Sequence, residues 1–288
     1  MPCLVMTLAL MVVGCADRQP TCEAPERIGL MPPSVRESSG LAASRAREGV
    51  LWTHNDSGSD PLVFAVATDG TLIDSVRVSG ALVTDWEDIA IAPCAARSDD
   101  DCLYIADVGN NRHTREAGTI YRVREPRAGD AQTLPADRLP VRYPGAGWDM
   151  EALFVLPGAE LYLISKGVDH AVTLLRYPPP LRPDSLVALE PVQLLSDSAV
   201  SLPDQVTAAT ATRDGRWVAV RTYTALRFYR VRDGQLQAAF DSSGIDLSAL
   251  AEPQGEGLGG GDDGTFYLSS ERGLDTVAPL SRIVCAIE

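Results

Sequence analysis

The 288-residue sequence predicts an all-β fold, a five-bladed β-propeller with six blades as the fallback. Three observations point there. A short motif, fullest at Asp85-Trp86-Glu87-Asp88-Ile89-Ala90, recurs in weaker form, with Ser39, Glu151, Thr207 and Glu256 under Glu87. Two positions earlier stands a polar column (Glu37, Asp85, Asp149, Gln205, Gln254), and two later an apolar one (Leu41, Ile89, Leu153, Ala209, Leu258). The reference positions lie roughly 48 to 64 residues apart, the range in which propeller blades repeat. The second observation is a series of short β-rich runs separated by Asp-Gly turn signals. The third is that no stretch reads as a long amphipathic helix, apart from a weak pattern at 245–251.

Each reference stretch opens the innermost strand of a blade. Residues 27–31 have strand character but no hairpin partner of their own. The first blade takes 39–44, 50–56, 62–68 and 71–79, with Asp69-Gly70 turning the last hairpin. The second takes 87–92, 102–107, 118–124 and 138–143, interrupted by a Pro-rich loop from Glu125 to Pro135. The third runs 151–156, 160–165, 171–177 and 186–195, with Pro178-Pro179-Pro180 as a surface excursion. The fourth runs 206–212, 216–222, 225–232 and 235–240, turning at Asp214-Gly215 and Asp233-Gly234. The fifth offers only 256–260, 265–270 and 280–287, so residues 27–31 are expected to supply its missing strand. Closure of that kind leaves no open sheet edge.

The net charge of −14 argues against nucleic acid or an anionic membrane surface as a partner. Residues 1–14 are apolar and uncharged, too short to span a bilayer, and read as a signal-peptide core. Val12-Val13-Gly14-Cys15 looks like the lipobox of bacterial lipoproteins, which implies lipidation of Cys15. The other reading is a cleaved secretory signal with Cys15 an incidental thiol. Residues 15–25 form a polar tether and 26–288 one propeller domain. The expectation is an exported chain, held at the membrane only through its lipid and acting as a monomer. Ala16 resembles outer-membrane sorting in a Gram-negative envelope. The remaining cysteines suggest two disulfides, Cys94–Cys102 across a hairpin and Cys22–Cys285 tying the chain ends. The second would constrain a very long unfolded loop, for about 4–5 kcal/mol of entropic stabilisation.

In a propeller, the starts of the innermost strands share one rim with the ends of the second strands. That rim collects the polar columns together with Asp56, Asp107, Lys166, Arg221 and Glu271, and all three histidines map to its side. Carboxylates crowded around one axis need protonation, positive side chains or a cation to offset their repulsion. An oxygen-rich ring fits Ca²⁺. The first-choice ligands are Glu87, Glu151 and Glu256, with Asp56, Asp107 and Asn110 behind them. The alternative has these acids capping backbone groups and pairing with Arg221 and Lys166. Glu37, Asp85, Asp149, Lys166, Arg221 and Glu271 are candidates for holding a small anionic ligand or an envelope protein. Lys166 is the only lysine among 25 cationic residues, so a compact ammonium at that point suggests a specific role. His54, two residues from Asp56, is with Lys166 a candidate for acid–base work.

Gly255-Glu-Gly-Leu-Gly-Gly260 fits a dinucleotide fingerprint in letters only, because a hairpin rather than a helix follows it. Glu37-Ser-Ser-Gly-Leu41, Asn55-Asp-Ser-Gly58, Asp107-Val-Gly-Asn-Asn111, Asp149-Met-Glu-Ala-Leu153, Arg221-Thr-Tyr223 and Gln254-Gly-Glu-Gly257 join the Asp85–Ala90 motif in a wider pattern. Together they resemble a family of exported bacterial propellers of unknown function. More distantly the layout is similar to calcium-binding propeller hydrolases of the gluconolactonase and paraoxonase type. That resemblance implies Ca²⁺ held in the tunnel by acids and amides of successive blades, with a Ca²⁺-dependent hydrolase of lactones or phosphate esters as the alternative to a binding module. Ser39 and Thr207 in two of the five reference positions leave any such ring incomplete.

Overall fold

The computed structural model describes residues 20–239, 244–273 and 277–287; the leader and Cys15 lie outside them. The chain enters through β1 (Thr21–Cys22) and β2 (Glu26–Leu30). Blade one is β3 (Ser38–Ala43), β4 (Val50–Asn55), β5 (Leu62–Ala67) and β6 (Leu72–Arg77). Blade two is β7 (Trp86–Pro93), β8 (Asp101–Asp107), β9 (Ala117–Arg124) and β10 (Asp137–Arg142). Blade three is β11 (Met150–Leu156), β12 (Glu160–Ser165), β13 (Thr173–Arg176) and, after β14 (Val187–Ala188), β15 (Glu190–Leu194). Blade four is β16 (Val206–Ala211), β17 (Trp217–Thr222), β18 (Ala225–Arg232) and β19 (Gln235–Ala238), with β20 (Ile245–Asp246) also paired to β18. Blade five is β21 (Gln254–Gly260), β22 (Thr265–Glu271) and β23 (Pro279–Ala286).

Both β1 and β2 pair antiparallel with β23, so the N-terminal strand completes the last blade as expected. Cys22 sits opposite Cys285 in that register and the two are disulfide-bonded; Cys94 and Cys102 are bonded across the β7–β8 hairpin. The inner strands β3, β7, β11, β16 and β21 touch one another in order, and β21 touches β3, which closes the ring. Five apolar clusters fill the five blade interfaces, with Trp52 and Trp86 both buried between blades one and two. Burial of a large aromatic at such a seam contributes about 3–5 kcal/mol, judged by its truncation to Ala.

The two long insertions do not make a sixth blade; they cover edges. The stretch expected as one strand at 186–195 divides, with β14 running parallel to β10 of blade two and β15 completing blade three. The Pro-rich loop of blade two likewise lies along β6 of blade one, where Thr133 N–H donates to Arg77 C=O at 2.8 Å. Each excursion satisfies backbone groups that an outer strand would otherwise expose. The weak helical pattern at 245–251 resolves into β20 and a 3₁₀ turn at Ser248–Leu250.

The recurring motif has a structural cause. Every inner strand carries a register shift at the reference position: between Ser38 and Leu41, Trp86 and Asp88, Met150 and Ala152, Val206 and Ala208, and Gly255 and Gly257. Glu87, Glu151, Thr207 and Glu256 are thus the extra residues of four β-bulges, and Ser39 lies within the fifth. A bulge breaks strict alternation and re-aims a side chain. That is how a polar residue enters a strand whose neighbours on both sides are buried.

Candidate functional site

Asp88, one residue past the blade-two bulge, is fully buried among the inner strands. Its Oδ1 accepts from its neighbour Ile89 N–H (2.8 Å), and its Oδ2 accepts from Leu153 N–H (2.8 Å) and Ala209 N–H (3.1 Å). One side chain therefore satisfies backbone donors of blades two, three and four.

Above this lock stand the bulge carboxylates. Glu87, Glu151 and Glu256 are 4%, 1% and 3% exposed. Oxygen atoms of Asp56, Asp85 and Glu87 lie within 4.8 Å of one another, and so do those of Glu87, Asp149 and Glu151. The loop after β8 is threaded between them. At Gly109 a Cβ would overlap Glu87 Oε1 and press on Asp85 Oδ2, so only glycine leaves both carboxylates where they are. The Asn110 N–H donates to Asp149 Oδ1 at 2.6 Å.

The two acid groups differ in how they are compensated. Lys166 Nζ donates to Glu151 Oε1 at 2.6 Å and reaches Asn111 Oδ1 at 3.4 Å. Burial alone would lower its pKa, but the charges of Glu151, Tyr223 and Glu87 outweigh that and hold it upward as ammonium. Glu151 thus has a cation already. In the other group, Lys166 and Arg115 act on Glu87 and Asp85 only through their charge, and among the described buried polar atoms Asp56 Oδ1 and Glu87 Oε1 make no hydrogen bond, nor do Thr207 Oγ1 and Glu256 Oε2 on the same ring. Burial, then the charges of Glu151, Asp56 and Asp85, pushes Glu87 well above the usual carboxylate range. Burial and Asp85 push Asp56 up to about 7, and burial and Glu256 push Glu271 up to about 8. Asp85, Asp149, Glu151 and Glu256 are shifted upward as well, each chiefly by burial.

Several expected site residues serve the scaffold instead. Asn110 spends its amide on Arg115 and Trp148: Nδ2 donates to both carbonyls and Oδ1 accepts from Arg115 N–H at 2.8 Å. Asp107 accepts from Asp85 N–H (3.0 Å) and pairs with Arg115 (3.1 Å). Neither carboxylate nor amide is left facing the axis unpaired. Arg221 is fully buried between blades four and five, donating to Gly257 C=O (2.7 Å) and Ser269 C=O (2.9 Å) and pairing with Glu252. It clamps the blades and does not reach the mouth as a ligand-binding cation. A Cβ at Gly255 would collide with its guanidinium. His54 is also away from the rim, fully buried with its ring edge against Trp86 at a centroid distance of 5.4 Å, and burial lowers its pKa to about 4. Glu37 stays exposed at the mouth. His113 and His170 do flank the rim, with His113 Nδ1 on Asp169 at 2.6 Å and His170 stacked on Trp148.

Four contributors stand in the recurring motifs but were not expected at the site. Tyr223 Oη and Gln254 Nε2 both donate to Glu256 Oε1, at 3.2 and 2.8 Å. Gly109 lies in the Asp107–Asn111 motif, but nothing in the sequence shows that two carboxylates crowd it. Asp88 had a signal, an acid set between apolar residues in an inner strand, but its three donors come from distant parts of the chain.

No family model matches the chain, and no curated protein matches it in sequence. Solved structures do. The major allergen Mala s 1 of Malassezia sympodialis is 10% identical over 91% of this chain and 96% of its own, with a TM-score of 0.56. The soluble aldose sugar dehydrogenase of Escherichia coli is 11% identical over 93% of this chain and 100% of its own, at 0.52. A gluconolactonase of Xanthomonas campestris is 13% identical over 93% and 97%, at 0.47. The likeness is one of fold. The chain is a β-propeller, similar in fold to Mala s 1 and to the aldose sugar dehydrogenase.

Proposed function

We propose that this protein is an exported, lipid-anchored propeller whose central mouth holds Ca²⁺ and binds a small anionic ligand against it. The observation that supports this reading is the cluster Asp56, Asp85 and Glu87, whose oxygens fall within 4.8 Å while Asp56 Oδ1 and Glu87 Oε1 have no partner. Oxygens that close span the two sides of a sphere of about 2.3–2.6 Å radius, the Ca²⁺–oxygen distance. The donor set is all carboxylate, which suits a hard cation and no soft one. Glu256 stands nearby with an unpartnered oxygen, and Lys166 and Glu271 stand beside the cluster to complete a polar mouth. Two disulfides are in keeping with an oxidising, extracytoplasmic compartment. Among the described residues no helix is long and apolar enough to cross a membrane.

Hydrolysis of a lactone or phosphate ester is the second reading. Its support is that Asp56 and Glu271 are shifted to about 7 and 8, where a carboxylate can exchange protons near neutral pH. Fold-level likeness to lactonases agrees with it and adds no residue.

The test is elemental analysis of the chain from Ala16 onward, with melting recorded in Ca²⁺ and in chelator. About one Ca²⁺ per chain and a chelator-sensitive melt are expected, both lost in Glu87→Gln. Absence of metal with identical melts would refute the cation site. In the host, Cys15→Ser should move the protein from the membrane fraction to the soluble one.

A further inference from the structure

The carboxylate mouth and the start of the folded chain lie on opposite faces of the ring. Each inner strand runs from that mouth to the far face, where Asp262-Asp263-Gly264 turns β21 into β22. Cys22 is paired with Cys285 in register and by the disulfide, and the Cys285 N–H donates to Gly264 C=O at 2.8 Å. Ile287, two residues on, shares a small cavity with Arg213, Asp214 and Asp262, all in turns of the far face. The chain therefore leaves the ring toward Cys15 from the face opposite the carboxylates.

Reach then limits how the ring can sit on a membrane. Cys15 is five residue steps from Pro20, the first described residue. Fully extended, that tether spans at most about 18 Å. Inner strands of six to eight residues make the ring about 20–26 Å deep. An acylated cysteine sits at the headgroup level, since only its acyl chains enter the hydrocarbon. To lay the carboxylate mouth on the bilayer, the tether would have to round the rim and cross the whole depth of the ring, which is farther than it reaches. Unpairing β1 would lengthen it, and the Cys22–Cys285 bond prevents that. Charge acts in the same sense. Asp56, Asp85 and Glu87 crowd the mouth, whereas exposed arginines (Arg97, Arg127, Arg213 and Arg216) are interspersed among the acids of the far-face turns. An anionic headgroup layer repels the first face, and the second carries both signs.

We propose that the short, disulfide-pinned tether turns the far face toward the lipid surface and holds the carboxylate mouth off the membrane, open to the aqueous phase. The proposal rests on the lipidation of Cys15. The test uses the full chain recovered from the host's membrane fraction and reconstituted into phosphatidylcholine vesicles that carry a headgroup spin label. A fluorophore is placed through Glu37→Cys, exposed at the mouth, or through Ala46→Cys, exposed in the far-face turn between β3 and β4. The spin label should quench the fluorophore at 46 and leave the one at 37 bright. A flexible Gly/Ser insert of about 20 residues between Gln19 and Pro20, with an r.m.s. reach of roughly 25 Å, should make the two positions equally quenched. Equal quenching with the natural tether, stronger quenching at 37, or a difference that survives the insert overturns the proposal and leaves lipidation intact. A protein that carries no lipid and stays in the soluble fraction overturns the lipid anchor, and the orientation with it.

Discussion

Asp88 and Glu87 are neighbours in sequence with opposite environments. Asp88 accepts three backbone N–H groups and has no access to water, so burial raises its pKa against the pull of those donors. Asp88→Ala would leave buried N–H groups of three blades unpaired and should cost about 3–4 kcal/mol in chemical denaturation. An unchanged midpoint would show the lock to be dispensable. Glu151 and Lys166 make a second residue-scale case. Lys166→Met leaves Glu151 buried without its cation and should cost about 3–5 kcal/mol, whereas Lys166→Met with Glu151→Leu should recover most of the loss. If the double variant is no better than the single, the pair is not the source of the effect.

At the scale of elements, the bulge and the loop after β8 act together. Gly109→Ala would push a methyl group into Glu87 and Asp85 without touching any apolar cluster. Ca²⁺ affinity should fall at least about tenfold, as for other displacements of groups that support a ligand. The melt in chelator should move little, and a large drop there would mean that Gly109 serves folding instead. Just before β2, the Cys22–Cys285 bond ties β1 to β23 and closes a 263-residue separation. Cys22→Ser should cost about 2–5 kcal/mol, and more than Cys102→Ser, whose loop spans only 8.

For the whole molecule, the crowding of acids at one mouth makes stability a function of pH. Asp56 and Glu271 titrate near 7 and 8 when folded, above their values in the unfolded chain. Over that window the folded state binds more protons, so stability declines as pH rises. His54, lowered to about 4, acts in the opposite direction but only below its unfolded value of about 6.5. Without divalent cation, the melting temperature should therefore fall between about pH 6.5 and 8.5, and added Ca²⁺ should raise it most at the upper end. A melt that rises across that range would contradict the acid cluster as described. The propeller and its closure were legible in the chain because blades repeat: a polar bulge residue between apolar columns must recur once per sheet, and each sheet needs its own turns. The cysteine pairs followed from where the strands had to lie. Which acids meet was not legible. Glu87, Asp56 and Asp85 come from two blades, Arg221 and Asp107 look like mouth residues until their carbonyl and guanidinium partners are seen, and His54 turns inward against Trp86. Periodicity in the sequence determined how many sheets the chain makes and how the ring is closed; only the ring itself decided which polar atoms are paired and which are left open, because those contacts run between blades.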